Sequence, residues 1–492
     1  MGPLYDRMVR VRIRGFAAAA GSAAVACLSF VSPGGASEPR ALTLDQAIVE
    51  AFARNLALAR GGMDVRRAGL DIERAESAFD VTGGPVLRFD ALAGDRQVTY
   101  GAEASKPLRA TGATLGMSAS QSDREDGMGG EGLGVAGRSY SSVSVSVNQP
   151  LFRRFGRAMA EEPLRLAGDR LRAEQRRWEI QKSDLVLELV TVFETMARCD
   201  AQAGFEEAHL RRLDRLAALV RARERQGRAT RADVLRLELQ RGETETRLTN
   251  VRERRSMNAR RLAELMGAPE ATEFRIEPPP GLEMELPGAD AAMATALAHR
   301  MDFAQARDDA AAARRQADLA RRNRMPDVNV ALSIRREAPD GFGRMLEEGD
   351  TYTSLDARTG GFPWRRADRV GVLSAELQDA STAASVDIRR QSIAREVLQA
   401  LAEVRRANAE RIIAERNRRL AADRARVSRR LYETGRMDDF ALADAEQGLA
   451  SAENRGFEAG SEALLARYQL MHTLGILVEH PAALRPLPEP GA

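Results

Sequence analysis

Two very long stretches of the chain carry apolar residues at the spacing of helices that pack side by side. They cover residues 156–226 and 365–434. The apolar positions follow one another at steps of three and four residues: Leu185, Leu189, Val192 and Met196 in the first, and Ile393, Val397, Leu401 and Val404 in the second. Such steps define a coiled-coil seam. At about 1.5 Å per residue, each helix would be roughly 105 Å long, more than one globular core requires.

Each long helix is interrupted by a glycine and then returns as a shorter helix. The return helices are predicted over 231–267 and 439–476. Because glycine readily adopts the left-handed conformation that ends a helix, each break predicts the tip of an αα-hairpin. The residues at the two breaks are Gly227 and Arg228, and Gly435 and Arg436.

Four shorter segments alternate apolar and small polar residues with a period of two. They lie at about 113–121, 141–149, 327–335 and 351–358, in two pairs that each enclose a glycine-rich, acidic loop. An ordinary half-exposed strand explains one such segment. Four of them, about ten residues long, favour the strands of a transmembrane barrel. Residues 86–112 hold further strand-like sequence, which would widen the barrel, extend its strands or form a separate hairpin.

The order of these elements divides the chain into two similar halves. The first repeat covers 37–267 and the second 289–478, and each begins with short alanine-rich helices. A proline-rich linker, 268–288, joins them, and residues 479–492 form a tail. The sequence therefore predicts one duplicated architecture rather than several unrelated domains.

The amino terminus has the order of a secretory signal peptide. A basic cluster, a small-residue apolar stretch and the segment PGGAS succeed one another over residues 1–36. Two alternatives are a membrane-anchor helix and cleavage before Cys27 with attachment of a lipid. In each case the protein leaves the cytoplasm, and cleavage after Ala36 leaves Cys199 as the single cysteine, so no internal disulfide forms.

The net charge of +3 belongs to this amino-terminal segment. The chain has 74 basic and 71 acidic residues, and residues 1–36 contain four arginines and one aspartate. Seventy residues of each sign remain after cleavage, so the basic composition does not indicate a nucleic-acid partner.

No set of residues in the sequence suggests catalysis, a cofactor or a bound metal. The four histidines, His209, His299, His472 and His480, are scattered and none has a ligand partner at metal-binding spacing. The chain has neither a phosphate-binding loop of the G-x-x-x-x-G-K-[ST] type nor a G-x-S-x-G nucleophile motif. We therefore expect a protein that is not an enzyme.

Three segments of the sequence resemble the TolC-type outer-membrane efflux protein family. LTLDQAIVEAFARN (42–55) is similar to the family's opening helix, and SVSVNQPLFRRFGRA (144–158) to its strand-to-helix junction. RLYETGRMDDFALADAEQGLASAENR (430–455) is similar to its second helical tip. The order of these segments and their duplication make the resemblance specific over about 41–478.

This resemblance implies a mainly α-helical protein with a transmembrane β-barrel. Three copies would form a homotrimer, with four strands from each chain in a twelve-stranded barrel and the long helical hairpins in a periplasmic tunnel. The protein would sit among outer-membrane lipid and conduct cargo from an inner-membrane pump, with a periplasmic adaptor docked on it, in tripartite efflux or type I secretion. The resemblance implies no particular cargo, because ducts for drugs, metals, polysaccharides and proteins share this architecture.

The resemblance also implies candidate residues for a periplasmic aperture. Tyr432 and Asp444 match the family's second tip, whereas Ala441 replaces an acid, and Asp233 matches the first tip. Arg436 is a possible partner for Asp444. The alternative is that both aspartates are exposed residues near a helix amino terminus, where acids are favoured. The tips themselves, with Gly227, Arg228, Gly435 and Arg436, are the expected adaptor-docking sites.

Two other classes of protein fit part of the pattern. A periplasmic coiled-coil adaptor would share export and an αα-hairpin, but it would not need two hairpins of such length or paired alternating strands. A structural outer-membrane lipoprotein without conduction would share the whole architecture. Conductance in planar bilayers distinguishes the lipoprotein from an exit duct.

Overall fold

The computed structural model describes most of residues 40–486. The predicted signal peptide, Cys27, Arg228 and Gly435 lie outside the described residues. The segments left out within that range are 93–94, 126–137, 228–229, 270–272, 278–284, 340, 361–365, 435 and 438.

Helices make up most of the described chain. In chain order they are α1 (Leu44–Arg54), α2 (Leu56–Ser77), α3 (Arg157–Ala160), α4 (Glu162–Arg225), α5 (Arg231–Met266), α6 (Ala289–His299), α7 (Met301–Asn323), α8 (Phe342–Glu348), α9 (Arg366–Glu433) and α10 (Asp439–Thr473). The strands are β1 (Arg40–Leu42), β2 (Thr82–Leu92), β3 (Asp95–Pro107), β4 (Thr114–Glu125), β5 (Arg138–Pro150), β6 (Phe274–Ile276), β7 (Val328–Pro339) and β8 (Asp350–Thr359). No described helix is both long and apolar enough to cross a membrane.

The two long helices lie close to the predicted stretches. Helix α9 has 68 residues and nearly coincides with the predicted helix 365–434. Helix α4 has 64 residues and lies within the predicted helix 156–226. The first helix starts later because Gly156 has a φ of 92° and a short separate helix, α3, precedes it. The return helices α5 and α10 begin at the predicted residues and end at Met266 and Thr473.

The chain forms two compact units, and the first contains the helical tips. It consists of the described residues up to Ala59, together with Gln181–His299 and Ile393–His480. Strands β1 and β6 pair in parallel here, so the proline-rich linker contains a short strand. The predicted seam residues, from Leu185 to Met196 and from Ile393 to Val404, are all buried, as the steps of three and four predict.

The second unit contains the sheet. It consists of Arg60–Ile180, Arg300–Ser392 and Pro481 onward. Its six strands are antiparallel throughout, in the order β2-β3-β4-β5-β7-β8. The prediction of four strands from each chain is therefore wrong for this sheet, because β2 and β3, which overlap the strand-like segment 86–112, form an additional antiparallel pair.

Candidate functional site at the helical tips

The first tip is built by a left-handed glycine and a capping box. Gly227 has a φ of 70°, and its N–H donates to the carbonyl of Glu224 at 2.8 Å. Helix α5 then begins with Thr230 as its N-cap. The Thr230 hydroxyl accepts from the Asp233 N–H at 3.3 Å, and the Asp233 carboxylate accepts from the Thr230 N–H at 2.9 Å. The two side chains thus satisfy free N–H groups at the helix start.

Capping also determines the ionisation of Asp233. The hydrogen bond from the Thr230 hydroxyl, at 2.7 Å, and then that from the Thr230 backbone lower the pKa of the carboxyl. The carboxylate charge of this predicted aperture residue thus stabilises the amino terminus of helix α5. Its role at an aperture stays a prediction.

Gly227→Ala is expected to destabilise the first tip by about 1 kcal/mol, because a side chain disfavours a positive φ. A β-carbon at Gly227 would meet no atom within 4 Å, so backbone strain is the whole cost. Gly242→Ala is the matched control, since Gly242 lies inside helix α5 with equal free space. Hydrogen exchange at the start of α5 should accelerate in the first variant and slow in the second. Equal effects would contradict the assigned conformation.

Helices α4 and α5 are joined below the first tip by a small apolar cluster. Leu213, Ala217 and Val220 of α4 pack with Val234 and Leu237 of α5. Ion pairs between the two helices flank this cluster. They join Arg221 with Glu238 and Arg241 with Asp214, both at 2.8 Å, Arg247 with Glu206, Arg252 with Glu207 and Arg255 with Asp200.

The second tip is closed by a backbone hydrogen bond across the helix end. The Arg436 N–H donates to the Leu431 carbonyl at 2.8 Å, the six-to-one bond of a Schellman cap. The Arg436 side chain is exposed. Tyr432, one turn before, accepts a hydrogen bond from Arg223 at 3.3 Å, and the Arg223 guanidinium lies 5.7 Å from the tyrosine ring centre. This contact joins the two tips of one chain.

Asp444 forms its ion pair with Arg424. The sequence suggested Arg436 as a partner, and the structure instead gives an arginine 20 residues away on helix α9. The two side chains are 68 % and 59 % exposed, so the pair contributes little to folding stability. An exposed carboxylate held by one exposed arginine is, however, well placed to meet ions or another chain.

Glu446 is a tip residue that was not predicted from the sequence. Its carboxylate lies 3.1 Å from Arg429 of helix α9 and 3.6 Å from Arg212 of helix α4, and it is mostly buried. One acid of α10 therefore joins both long helices. In the sequence, only its position two residues after Asp444 points to Glu446. Its partners, Arg212 and Arg429, are far away along the chain.

A buried carboxyl lies deeper in the same unit. The Ser461 hydroxyl of α10 donates to Glu194 of α4 at 2.8 Å, and both residues are buried. Burial raises the pKa of Glu194, while the hydrogen bond from Ser461 and the charge of Arg198 oppose that effect. Burial also disfavours the charged form of His209, and for a histidine this lowers the pKa.

Glu194→Gln is expected to stabilise the protein most at neutral and alkaline pH. The folded-state pKa is above the ordinary 4.5, so wild-type stability falls as pH rises from 4.5 through the raised value. Glutamine cannot ionise and removes that loss. Thermal unfolding against pH measures it, with the partly exposed Glu207→Gln as control. A variant that is less stable than wild type at pH 8 would contradict this account.

No group of three or more potential metal ligands occurs among the described residues. The tips instead combine exposed charges, interhelical ion pairs and two helix caps. Such a surface suits contact with ions and with other protein chains.

Comparison with known proteins supports the family suggested by the sequence. Residues 292–476 match the family model described as outer membrane efflux protein, which confirms the resemblance for that part of the chain. No curated protein sequence matches the chain.

Several solved structures share the fold. The outer membrane protein VceC of Vibrio cholerae has a TM-score of 0.66 at 15% identity, over 88% of this chain and 96% of that one. The CmeC outer membrane channel of Campylobacter jejuni has a TM-score of 0.67 at 9% identity, over 89% and 87%. The MtrE outer membrane channel of Neisseria gonorrhoeae, in its open state, has 0.62 at 15% identity, over 88% and 89%.

Proposed function

We propose that this chain, which resembles the outer membrane efflux proteins in sequence and in fold, forms the outer-membrane exit duct of an efflux or one-step secretion system. Three copies would make a homotrimer, with the sheets in the outer membrane and the long hairpins in the periplasm. Cargo would pass from an inner-membrane pump through this passage. One observation carries the proposal: the sheet exposes a continuous apolar face.

The apolar face follows directly from the strand register. Met117, Val145 and Ile334 lie opposite one another on β4, β5 and β7, and all three are exposed. Leu115, Val147, Leu332 and Leu355 form a parallel row across β4, β5, β7 and β8. Contiguous exposed apolar patches are typical of membrane or protein contact surfaces.

The opposite face of the same strands is small and polar. Hydroxyl pairs join neighbouring strands, with Ser118 and Ser144 at 2.8 Å and Ser333 and Ser354 at 2.7 Å. A sheet with one apolar and one serine-rich face suits a wall between lipid and water. This arrangement favours the exit duct over a periplasmic adaptor, because an adaptor has no need for an amphipathic sheet.

A second copy of the chain would cover an exposed stripe on helix α9. Ile413, Leu420 and Val427 recur at intervals of seven residues and are all exposed. Apolar residues at this interval are the seam of a coiled coil whose partner helix is absent from a single chain. The stripe therefore supports packing of α9 against another protomer.

In the proposed trimer, the exposed charges at the tips would form an aperture and a docking surface. Asp444 would face the passage in three copies, with Tyr432, Arg436 and Asp233 around it. The tip at Gly227 and the segment that contains Gly435 and Arg436 would bind the periplasmic adaptor. A ring of like charges at a constriction raises the local concentration of cations.

Asp444→Ala is expected to weaken block by trivalent cations, added from the tip side, about tenfold, or ~1.4 kcal/mol. The reason is that the carboxylate would provide the negative charge at the narrowest point. Asp423→Ala is the control, because that exposed aspartate pairs within one helix with Arg426. Single-channel recording measures both. Unchanged block in Asp444→Ala would contradict its place at the aperture.

Location and assembly test the proposal without an assay for cargo. We expect the protein in outer-membrane fractions as a trimer that resists detergent and changes its migration on heating. Leu420→Arg should lower the trimer fraction, whereas Arg419→Ala, one residue away and exposed, should not. A soluble periplasmic monomer would contradict the proposal.

A further inference from the structure

Among the described strands, two form the edges of the sheet. Strands β2 and β8 each pair with a single described strand, and they have 11 and 10 residues. Five consecutive antiparallel pairings separate them, so β2 and β8 run in opposite directions. The two edges therefore have the lengths and the polarity needed to pair with each other between chains.

The additional hairpin continues the two faces of the sheet. Leu87 lies opposite Tyr100, and Tyr100 opposite Gln121. On the polar face, the Thr99 and Ser122 hydroxyls lie 2.7 Å apart. Gly101 lies so close to β4 that an added β-carbon would clash with the Ala119 carbonyl oxygen. The hairpin is thus an integral part of the sheet.

The most exposed large apolar side chains of the sheet lie on its two edges. Phe89 of β2 is 71 % exposed and Leu355 of β8 is 72 % exposed, both on the apolar face. Set opposite each other in an antiparallel pair, they place Arg88 opposite Asp356 on the polar face. Cross-strand pairs of opposite charge and of apolar residues both stabilise a sheet.

We propose that β2 of one protomer pairs with β8 of the next, so that three chains form a closed wall of eighteen strands. This inference rests on the proposed trimeric duct and changes its membrane part. Because barrel diameter grows roughly linearly with strand number, the passage would be about 1.5 times as wide as one of twelve strands. Arg88, Asp90 and Glu103 of the added hairpin would line it.

Pro85 limits the contact between β2 and β8 at the end of β2 that follows helix α2. Pro85 has no N–H, so it cannot donate a backbone hydrogen bond to a neighbouring strand. The closing contact therefore runs from Val86 toward the far end of the strand. An edge strand is where proline is tolerated in a sheet.

Cysteine cross-linking in the trimer tests the pairing. In a Cys199→Ser chain, Arg88→Cys is combined in turn with Ser354→Cys, Asp356→Cys and Arg358→Cys. These combinations test the proposed register and the registers shifted by two residues in either direction. After oxidation with copper phenanthroline, we expect one combination to convert most chains into covalent dimers and trimers. Each single-cysteine variant is the control for other cross-links.

A twelve-stranded wall would give a different cross-link. There β8 would meet β4, and Asp356→Cys with Ser120→Cys would join neighbouring chains. The pair Ser118→Cys and Ser144→Cys, whose hydroxyls lie 2.8 Å apart within one chain, checks that the oxidant reaches the polar face. If an intact trimer joins β8 to β4, or joins β8 to β2 in none of the three combinations, the eighteen-stranded wall is wrong and the duct stands. Absence of any trimer refutes the proposed function itself.

Discussion

Ile334→Arg is expected to abolish assembly in the outer membrane. Ile334 lies in the middle of strand β7 on the exposed apolar face, between Val145 and Thr353 of the neighbouring strands. An arginine on the lipid side of a membrane sheet costs about 2–4 kcal/mol near the bilayer midplane. Since the proposed trimer contains three copies, the total would be roughly 6–12 kcal/mol. Outer-membrane abundance and the trimer fraction measure the effect.

Ser333→Arg is the matched control for this variant. It adds the same side chain one residue away, on the polar face, where the Ser333 hydroxyl contacts Ser354. We expect much of the trimer to persist, because that face would border water. If both variants lower the trimer fraction equally, or if the Ile334→Arg trimer persists, the apolar face does not contact lipid.

Phe193→Ala is expected to destabilise the helical unit by about 3–5 kcal/mol, the range for a large aromatic residue removed from a packed core. Phe193 is fully buried in helix α4, next to the seam residues Val192 and Met196. The midpoint of denaturant unfolding in detergent, followed by helical circular dichroism, measures the change.

Leu219→Ala is the control on the same helix. Leu219 is 43 % exposed, so its truncation removes much less buried surface. We expect a shift below about 1 kcal/mol. Two shifts of similar size would contradict the assignment of Phe193 to the core.

The long helices were predictable because their apolar steps are repeated many times. Each step of three or four residues adds to the same stripe, and burial of Leu189 and Ile393 agrees with it. Residues in such a stripe identify the core side without knowledge of the partner helix. The ends are less determined, since Gly156 shifts the start of α4 beyond the predicted residue.

The number of strands was not predictable because β2 does not alternate clearly. Its sequence, TGGPVLRFDAL, contains two glycines, a proline and two charges. Strand β3, DRQVTYGAEASKP, is almost as mixed. The apolar and polar faces of these two strands can be distinguished only when the register sets Leu87 opposite Tyr100. Alternation within either strand alone was too weak to predict them.

The ion pairs of the tips depend on the alignment of helices, which the sequence does not give. Asp444 contacts Arg424 because α9 and α10 run side by side in opposite directions, so distant positions meet. Glu446 reaches Arg212 for the same reason. Proximity in sequence instead favoured Arg436, which lies at the end of the hairpin.

We infer that three copies of this chain form an open passage through a membrane. Recording of the purified trimer in a planar lipid bilayer tests this inference. We expect stable, discrete conductance steps that trivalent cations block from the side of the helical tips, and weaker block in Asp444→Ala. A folded trimer that inserts into the bilayer and produces no conductance would contradict it.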